Sequence, residues 1–253
     1  MARGPVELTP ADVAAVRAMV IHEDEAIIAL NKPSGLSSQG GRIQAHTLDD
    51  LLAAFARSNG NRPRLVHRLD RDTSGVILTA RTKPAAAALG KALMDRRVRK
   101  TYLALVTPGA PEPREGVIDT PLRRVEIGRE SYMRPTEPEH PDAETALTRY
   151  RTLGVVDGAA LVELSPHTGR MHQLRAHLAS IGRPIAGDVR YGGALALKGE
   201  AVERLMLHAF QIQFRHPDGQ PMRLSAPVPT AFAAVLERLG LPIPAAPEAS
   251  RRD

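Results

Sequence analysis

The chain of 253 residues contains no cysteine and no tryptophan, and aromatic residues make up only 3% of it. Without cysteine there is no disulfide framework, no thiolate nucleophile and no sulfur ligand for zinc, which agrees with a reducing compartment. With so few rings, a binding mode that stacks successive bases on side chains is disfavoured, so any recognition of nucleic acid rests on charge and shape. No run of about twenty apolar residues is present to span a bilayer. The opening Met-Ala-Arg-Gly-Pro-Val-Glu also lacks the apolar stretch of a secretory signal. These absences lead us to expect a cytoplasmic protein with no membrane partner.

What is present is a core and an excess of positive charge. Hydrophobic residues make up 43% of the chain, enough for a sizeable interior. Lys and Arg number 34 against 28 Asp and Glu, a formal charge of +6 that suits a polyanionic partner. Lys91, Arg96, Arg97, Arg99 and Lys100 form one basic group opposed only by Asp95, and Arg123, Arg124 and Arg129 form a second. Each group alone is most simply a solvated face; two of them make a phosphate backbone a reasonable partner.

The coarse pattern alternates helices and strands. Thr9-Pro10-Ala11-Asp12 predicts a capped helix that opens an N-terminal extension over residues 1–20. Glu25–Leu30 reads as a strand, and Thr47 caps a helix that runs to about Arg57. Pro84–Arg97 reads as a helix and Thr101–Val106 as a buried strand. Pro108–Pro113 and Met133–Asp142 read as loops, and Thr145–Thr152 and Ala159–Leu164 as strands. Gln211–Phe214 and Met222–Ser225 form a hairpin, and Thr230 caps a last helix to Leu239. We expect one catalytic domain over 21–241 and a mobile tail over 242–253.

The segment that stands out is His67-Arg68-Leu69-Asp70-Arg71-Asp72-Thr73-Ser74-Gly75. Apolar runs flank it at Arg64-Leu65-Val66 and Val76–Ala80, so it reads as a turn between extended segments that exposes carboxylates beside arginines. The plain alternative is that Asp72, Thr73, Ser74 and Gly75 are turn formers, with Arg68 and Arg71 as solvated charges.

A second segment, Thr168–Leu178, reads as a helix opening, with Met171, Leu174 and Leu178 on one stripe. Arg175 falls on the same face. A guanidinium pointing inward needs an anionic partner, for which Asp70 is the candidate, unless Arg175 borders the stripe and snorkels to solvent. His167, His172 and His177 are spaced by five. Five residues turn a helix through about 500°, so they do not share a face as metal ligands would, and no metal site is expected.

These residues resemble the RluA-type pseudouridine synthases. Asp24-Glu25 through Asn31-Lys32-Pro33-Ser34-Gly35-Leu36 looks like that family's first motif, and His67–Gly75 like its catalytic one. Lys100–Val106, Thr168–Leu178, Pro184–Asp188 with Tyr191-Gly192, Leu207-His208-Ala209 and Ala226-Pro227 complete the series in order, over about residues 20 to 229.

The resemblance implies an α+β fold whose central sheet is mixed and mostly antiparallel, and isomerisation of uridine to pseudouridine in structured RNA, ribosomal or transfer. It makes Asp70 the essential carboxylate, Tyr102 a contact to the uracil and Arg175 the ion partner of Asp70. It gives Arg68 the space vacated by a flipped uridine, with His67, Arg71, Arg170 and Leu174 beside the substrate, and it implies no cofactor, no metal and a monomer. Ser37-Ser38-Gln39-Gly40-Gly41 departs from the more apolar stretch expected after the first motif, and Met171 stands where Thr or Ser is common. Neither departure is expected to touch the chemistry. Little chain precedes the first motif, so no small N-terminal RNA-binding domain is expected. The competing readings are a silent RNA-binding protein on the same fold, or a nucleosidase using Asp70, which would want a second placed carboxylate.

Overall fold

Helix α1 (Pro10–Ala18) begins as its sequence predicts: the Thr9 hydroxyl accepts from the Asp12 amide, and the Asp12 carboxylate accepts from the Thr9 amide in return. The computed structural model describes residues 7–40, 46–58, 60–247 and 250–251. The start of the expected N-terminal extension, Gly41 of the polar loop and residues 248–249 and 252–253 of the expected tail lie outside these.

After α1 come β1 (Val20–Glu23), β2 (Ile27–Lys32), α2 (Leu48–Leu51) with a 3₁₀ turn at Leu52–Phe55, β3 (Arg64–Leu65), β4 (Ser74–Ala80) and α3 (Lys83–Met94). The chain continues through β5 (Arg99–Val106), β6 (Glu115–Ile118), β7 (Leu122–Ile127), β8 (Glu130–Pro135), β9 (Thr148–Val156) and β10 (Ala159–Pro166). It ends with α4 (Gln173–Ser180), β11 (Ala196–Leu197), β12 (Glu200–Ala201), β13 (Leu207–Arg215), β14 (Pro221–Ser225), α5 (Thr230–Leu239) and β15 (Ser250–Arg251). The fold is α+β, with a mixed, mostly antiparallel sheet.

Two compact units divide the chain, where the sequence reading expects one. The first is Met1–Val98 with Gln211–Pro227 and Ala246–Asp253; the second is Arg99–Phe210 with Val228–Ala245. No linker composition marks the boundaries, because one falls at the first residue of β5 and another inside β13.

In the first unit β2 pairs antiparallel with β1 and β4, from Ile27 opposite Ala80 to Lys32 opposite Gly75, and β3 pairs with β4 through Leu65 and Thr79. All seven residues of β4 are buried, which explains its apolar centre Val76-Ile77-Leu78. The hairpin of β13 and β14 forms in the expected register, with Phe214 opposite Met222.

In the second unit β10 pairs antiparallel with β5 and β9, and β9 with β6. Leu103, Leu105, Leu161, Val162 and Leu164 are fully buried there. Each such side chain stabilises the fold by about 1.5–3 kcal/mol through removal from water. Strands β7 and β8 form a separate hairpin, so Met133–Pro135, expected as loop, is strand. Leu122 and Met133 of this hairpin pack with Ala146, Ala176 and Tyr191 against α4.

Three local expectations shift. The stretch Thr168–His172 is a loop, and α4 starts only at Gln173, because the Gln173 side chain accepts from the Thr168 hydroxyl and the Arg170 amide and His172 is left-handed at φ 48°. Thr230 is the first residue of α5 rather than its cap, which is Pro229. In the expected mobile tail, Pro242 packs so closely on β9 that a Cβ added at Gly154 would lie 2.8 Å from its Cδ, and β15 pairs with β14.

Candidate active site

Asp70 sits in the turn between β3 and β4, half-buried, on a backbone whose carbonyls are all engaged. The Leu69 carbonyl accepts from the Ser38 hydroxyl (2.6 Å) and the Asp70 carbonyl from the Thr73 amide (3.2 Å). The Arg71 carbonyl takes the Gly35 amide (2.9 Å) and the Lys32 ammonium (2.9 Å), and the Asp72 carbonyl takes the Ser34 hydroxyl (2.7 Å). Four successive peptide groups are therefore fixed, three of them by the segment Lys32–Ser38. Lys32 is fully buried, and its ammonium also donates to the carbonyls of Pro33 and Leu36. Its charge is met by backbone dipoles, as burial of an ammonium requires. Gly35, at φ +87°, makes the turn that aims its own amide at Arg71.

The charged neighbours of Asp70 divide. Arg68 is exposed and has no hydrogen bond or ion pair among the described residues. Arg71 is held by Asp72 in a bidentate pair at 2.8 and 3.1 Å, so this arginine and this aspartate steady the turn. His67 accepts from the Leu78 amide through Nε2 (3.0 Å), which ties the start of the loop to β4.

In the second unit, Tyr102 is 8% exposed on β5 opposite Leu164. Lys100 stands two residues before it, and burial pushes its ammonium down to about 8. Arg175 points inward, 5% exposed, one of the two courses that its place on the α4 stripe allows. Its bidentate partner, however, is Asp188, where the sequence reading names Asp70. Nε donates to Asp188 Oδ2 and Nη2 to Oδ1, both at 2.7 Å.

Asp188 Oδ1 also accepts from the amides of Arg190 (3.0 Å) and Tyr191 (3.1 Å), and the Tyr191 ring lies 5.1 Å beneath the guanidinium. The turn that delivers Asp188 needs Gly193, where a Cβ would lie 1.8 Å from the Ile185 carbonyl oxygen. The signal available in the sequence was an acidic residue between two glycines, Gly187 and Gly193, just past an inward arginine.

The remaining residues have structural partners. Arg170 pairs with Glu144 (2.9 Å) and donates to the Thr145 carbonyl, and Leu174 is buried. His172 meets the Tyr191 hydroxyl at 3.1 Å. His177 is fully buried: Nε2 lies 3.0 Å from the Thr120 carbonyl, an acceptor only, so Nε2 carries the proton and Nδ1 accepts from the Thr148 hydroxyl at 2.9 Å. Of the basic groups, Lys91, Arg96 and Arg99 are exposed, whereas Arg97 pairs with Asp95 and Arg124 with Glu126. Sequence reasoning missed Lys32, Ser34 and Ser38 as supports of the Asp70 loop. Their only signal was a run of donors ahead of a turn rich in carbonyls.

A carboxylate on a fixed turn, with an exposed guanidinium two residues away, is an arrangement for attacking or deprotonating a ligand carrying negative charge. Residues 26–180 match the family described as RNA pseudouridylate synthase. The chain is 35% identical to a mitochondrial pseudouridylate synthase of Xenopus tropicalis over 90% of its own length and 82% of the relative's. It is 36% identical to the ribosomal large subunit pseudouridine synthase C of Escherichia coli (strain K12), over 90% of this chain and 72% of that one. The solved structure of human RNA pseudouridylate synthase domain containing 4 superposes with a TM-score of 0.79 at 28% identity, covering 92% of this chain and 97% of that one. By family match, sequence identity and fold together, the chain belongs to the RNA pseudouridylate synthase family and isomerises uridine to pseudouridine in RNA.

Proposed function

We propose that the RNA is structured ribosomal RNA of the large subunit, met in the cytoplasm by a monomer, and that Asp70 is the essential carboxylate. The names of the ribosomal relatives support the RNA class. Transfer RNA is the second class that the motif pattern allows. The observation that carries the role of Asp70 is its loop, in which the carbonyls of Leu69, Asp70, Arg71 and Asp72 are all bonded while Arg68 stays exposed.

The reaction breaks the bond from N1 to C1′, turns the base, and joins C5 to C1′; the C5 proton leaves and N1 gains one. A carboxylate beside C1′ supports this by adding to C1′ or by taking the C2′ proton, in either case stabilising the detached sugar. A uridine inside folded RNA is out of reach, so it is extruded, with Arg68 in the vacated space. Tyr102 contacts the uracil and is the candidate acceptor of the C5 proton. In this reading His67 and Arg71 steady the loop that carries Asp70, Arg175 and Leu174 fix α4, and Arg170 is a further substrate contact.

The test is release of tritium from total cellular RNA labelled at uridine C5. Asp70→Asn is expected to lower release by at least about 10²–10⁴-fold, the range for loss of a positioned acid or base. Undiminished release would remove Asp70 from the reaction. Mapping pseudouridine in RNA from cells lacking the protein decides the RNA class, and a missing site outside the large-subunit RNA would overturn that assignment.

A further inference from the structure

Ser38 is 3% exposed, and its hydroxyl meets both polar groups of one residue: it donates to the Leu69 carbonyl at 2.6 Å and accepts from the Leu69 amide at 3.1 Å. One side chain thus does for Leu69 what a neighbouring strand does for a strand residue. Leu69 is 6% exposed, so water is a poor substitute on either side.

Ser38 is itself anchored. Its carbonyl accepts from the Asp49 amide (3.0 Å) and the Ser37 carbonyl from the Leu48 amide (2.8 Å), at the first turn of α2, which Thr47 caps. A continuous path of hydrogen bonds therefore runs from the start of α2 through Ser38 to the peptide that precedes Asp70. The sequence reading expects an apolar stretch here and assigns the departure no part in the chemistry. An aliphatic side chain at position 38 could make neither bond.

We propose that Ser38 is a positioning residue that sets the Asp70 carboxylate through the Leu69 peptide. This rests on the reading of Asp70 as the essential carboxylate. The anchors at Arg71 and Asp72 lie on the far side of Asp70, held by Lys32, Gly35 and Ser34. On the near side His67 ties the start of the loop to β4, and Ser38 holds the peptide next to Asp70. Loss of its hydroxyl frees the Leu69 peptide, between the His67 tie to β4 and the anchors at Arg71 and Asp72, to rotate the carboxylate away from C1′ while the rest of the protein stays as it is.

The experiment measures the single-turnover rate of tritium release from total cellular RNA labelled at uridine C5, the affinity for the same RNA by filter binding, and the melting temperature. The variants are Ser38→Ala, Ser38→Thr and Ser38→Cys, with Asp70→Asn as reference. Ser38→Ala is expected to slow the chemical step about 10-fold or more at unchanged RNA affinity, since small misplacement of a reacting group carries penalties of up to about 10²-fold. Ser38→Thr, which keeps the hydroxyl, is expected to restore most of the rate.

A native rate in Ser38→Ala, with Asp70→Asn inactive, would overturn this proposal alone. Parallel loss of rate and affinity would overturn it too, by making Ser38 part of the RNA-binding surface. Native activity in Asp70→Asn would end both this proposal and the reading beneath it. If Ser38→Ala does not fold, Ser38→Cys takes its place, because the thiol keeps the shape and bonds weakly. An intermediate rate supports the proposal, and a native one overturns it.

Discussion

Two short segments, Leu69–Asp72 and Gly187–Tyr191, carry Asp70 and Asp188, and these two carboxylates are treated in opposite ways. Around Asp70 the backbone is bonded at four successive carbonyls, while Arg68 nearby is exposed and has no partner among the described residues. Around Asp188 the side chains are bonded: the carboxylate, fully buried, accepts four hydrogen bonds, two from Arg175 and two from the Arg190 and Tyr191 amides. The first arrangement fixes where a carboxylate is and leaves charge available. The second consumes its charge internally and fixes where a helix is. A buried ion pair held by this many hydrogen bonds is costly to break, because removing one partner strands the other in a medium that solvates it poorly.

The largest expected effect tests the second half of that contrast. Asp188→Ala leaves Arg175 charged and buried, and urea unfolding is expected to show a loss of about 3–5 kcal/mol. Replacing both partners, Arg175→Met with Asp188→Leu, is expected to recover much of that, because no lone charge then remains. A loss below about 1 kcal/mol in the single variant would mean that the pair is not what holds α4 against its turn.

A smaller effect comes from pH. His177 is buried with its neutral form bonded between Thr148 and Thr120. Burial, the leading cause, pushes its imidazole below the ordinary 6.5, although the Thr120 carbonyl and Asp119 act the other way. Because the folded value lies below the unfolded one, the unfolded chain binds the extra proton. Stability from this group is therefore complete above pH 6.5 and falls as pH drops below 6.5 toward the lowered folded value. Melting followed across that window is expected to show the fall, and His177→Gln is expected to flatten it. An unchanged slope in His177→Gln would assign the acid sensitivity to another group.

How much of this was legible follows the same divide. Strands β4 and β5 were readable from the buried apolar runs Val76–Leu78 and Leu103–Val106, and α1 because Thr9 and Asp12 announce its cap. The inward course of Arg175 was one of two readings left open by its stripe, and every residue from Gln173 to Leu178 is buried. The partner of Arg175 was not readable, because Asp188 reaches it through a turn set by Gly193 and the Ile185 carbonyl, a close approach with no periodicity. The anchors of the Asp70 loop were illegible for a related reason: Ser34, Ser38 and Lys32 donate to carbonyls, and every residue carries one. The hairpin of β7 and β8 was hidden because its exposed arginines and glutamates read as a charged surface, with Leu122 and Met133 as its only deeply buried members.

The smallest stability effect belongs to Arg68, and it sharpens the first half of the contrast. Arg68 has no partner among the described residues and is exposed, so Arg68→Ala is expected to change unfolding free energy by no more than about 0.5 kcal/mol. In the proposed reaction the same guanidinium fills the space left by the extruded uridine, a step that costs a few kcal/mol. Each 1.36 kcal/mol is about tenfold in rate, so single-turnover tritium release is expected to fall about 10-fold or more in a protein of native stability. Arg68→Lys keeps the charge without the planar fork, and partial recovery there would separate attraction to phosphate from the filling of the vacated stack. If Arg68→Ala unfolded as readily as Asp188→Ala, Arg68 would be part of the scaffold, and the division between a loop that keeps its charge available and a turn that uses its charge up would fail at its most exposed residue.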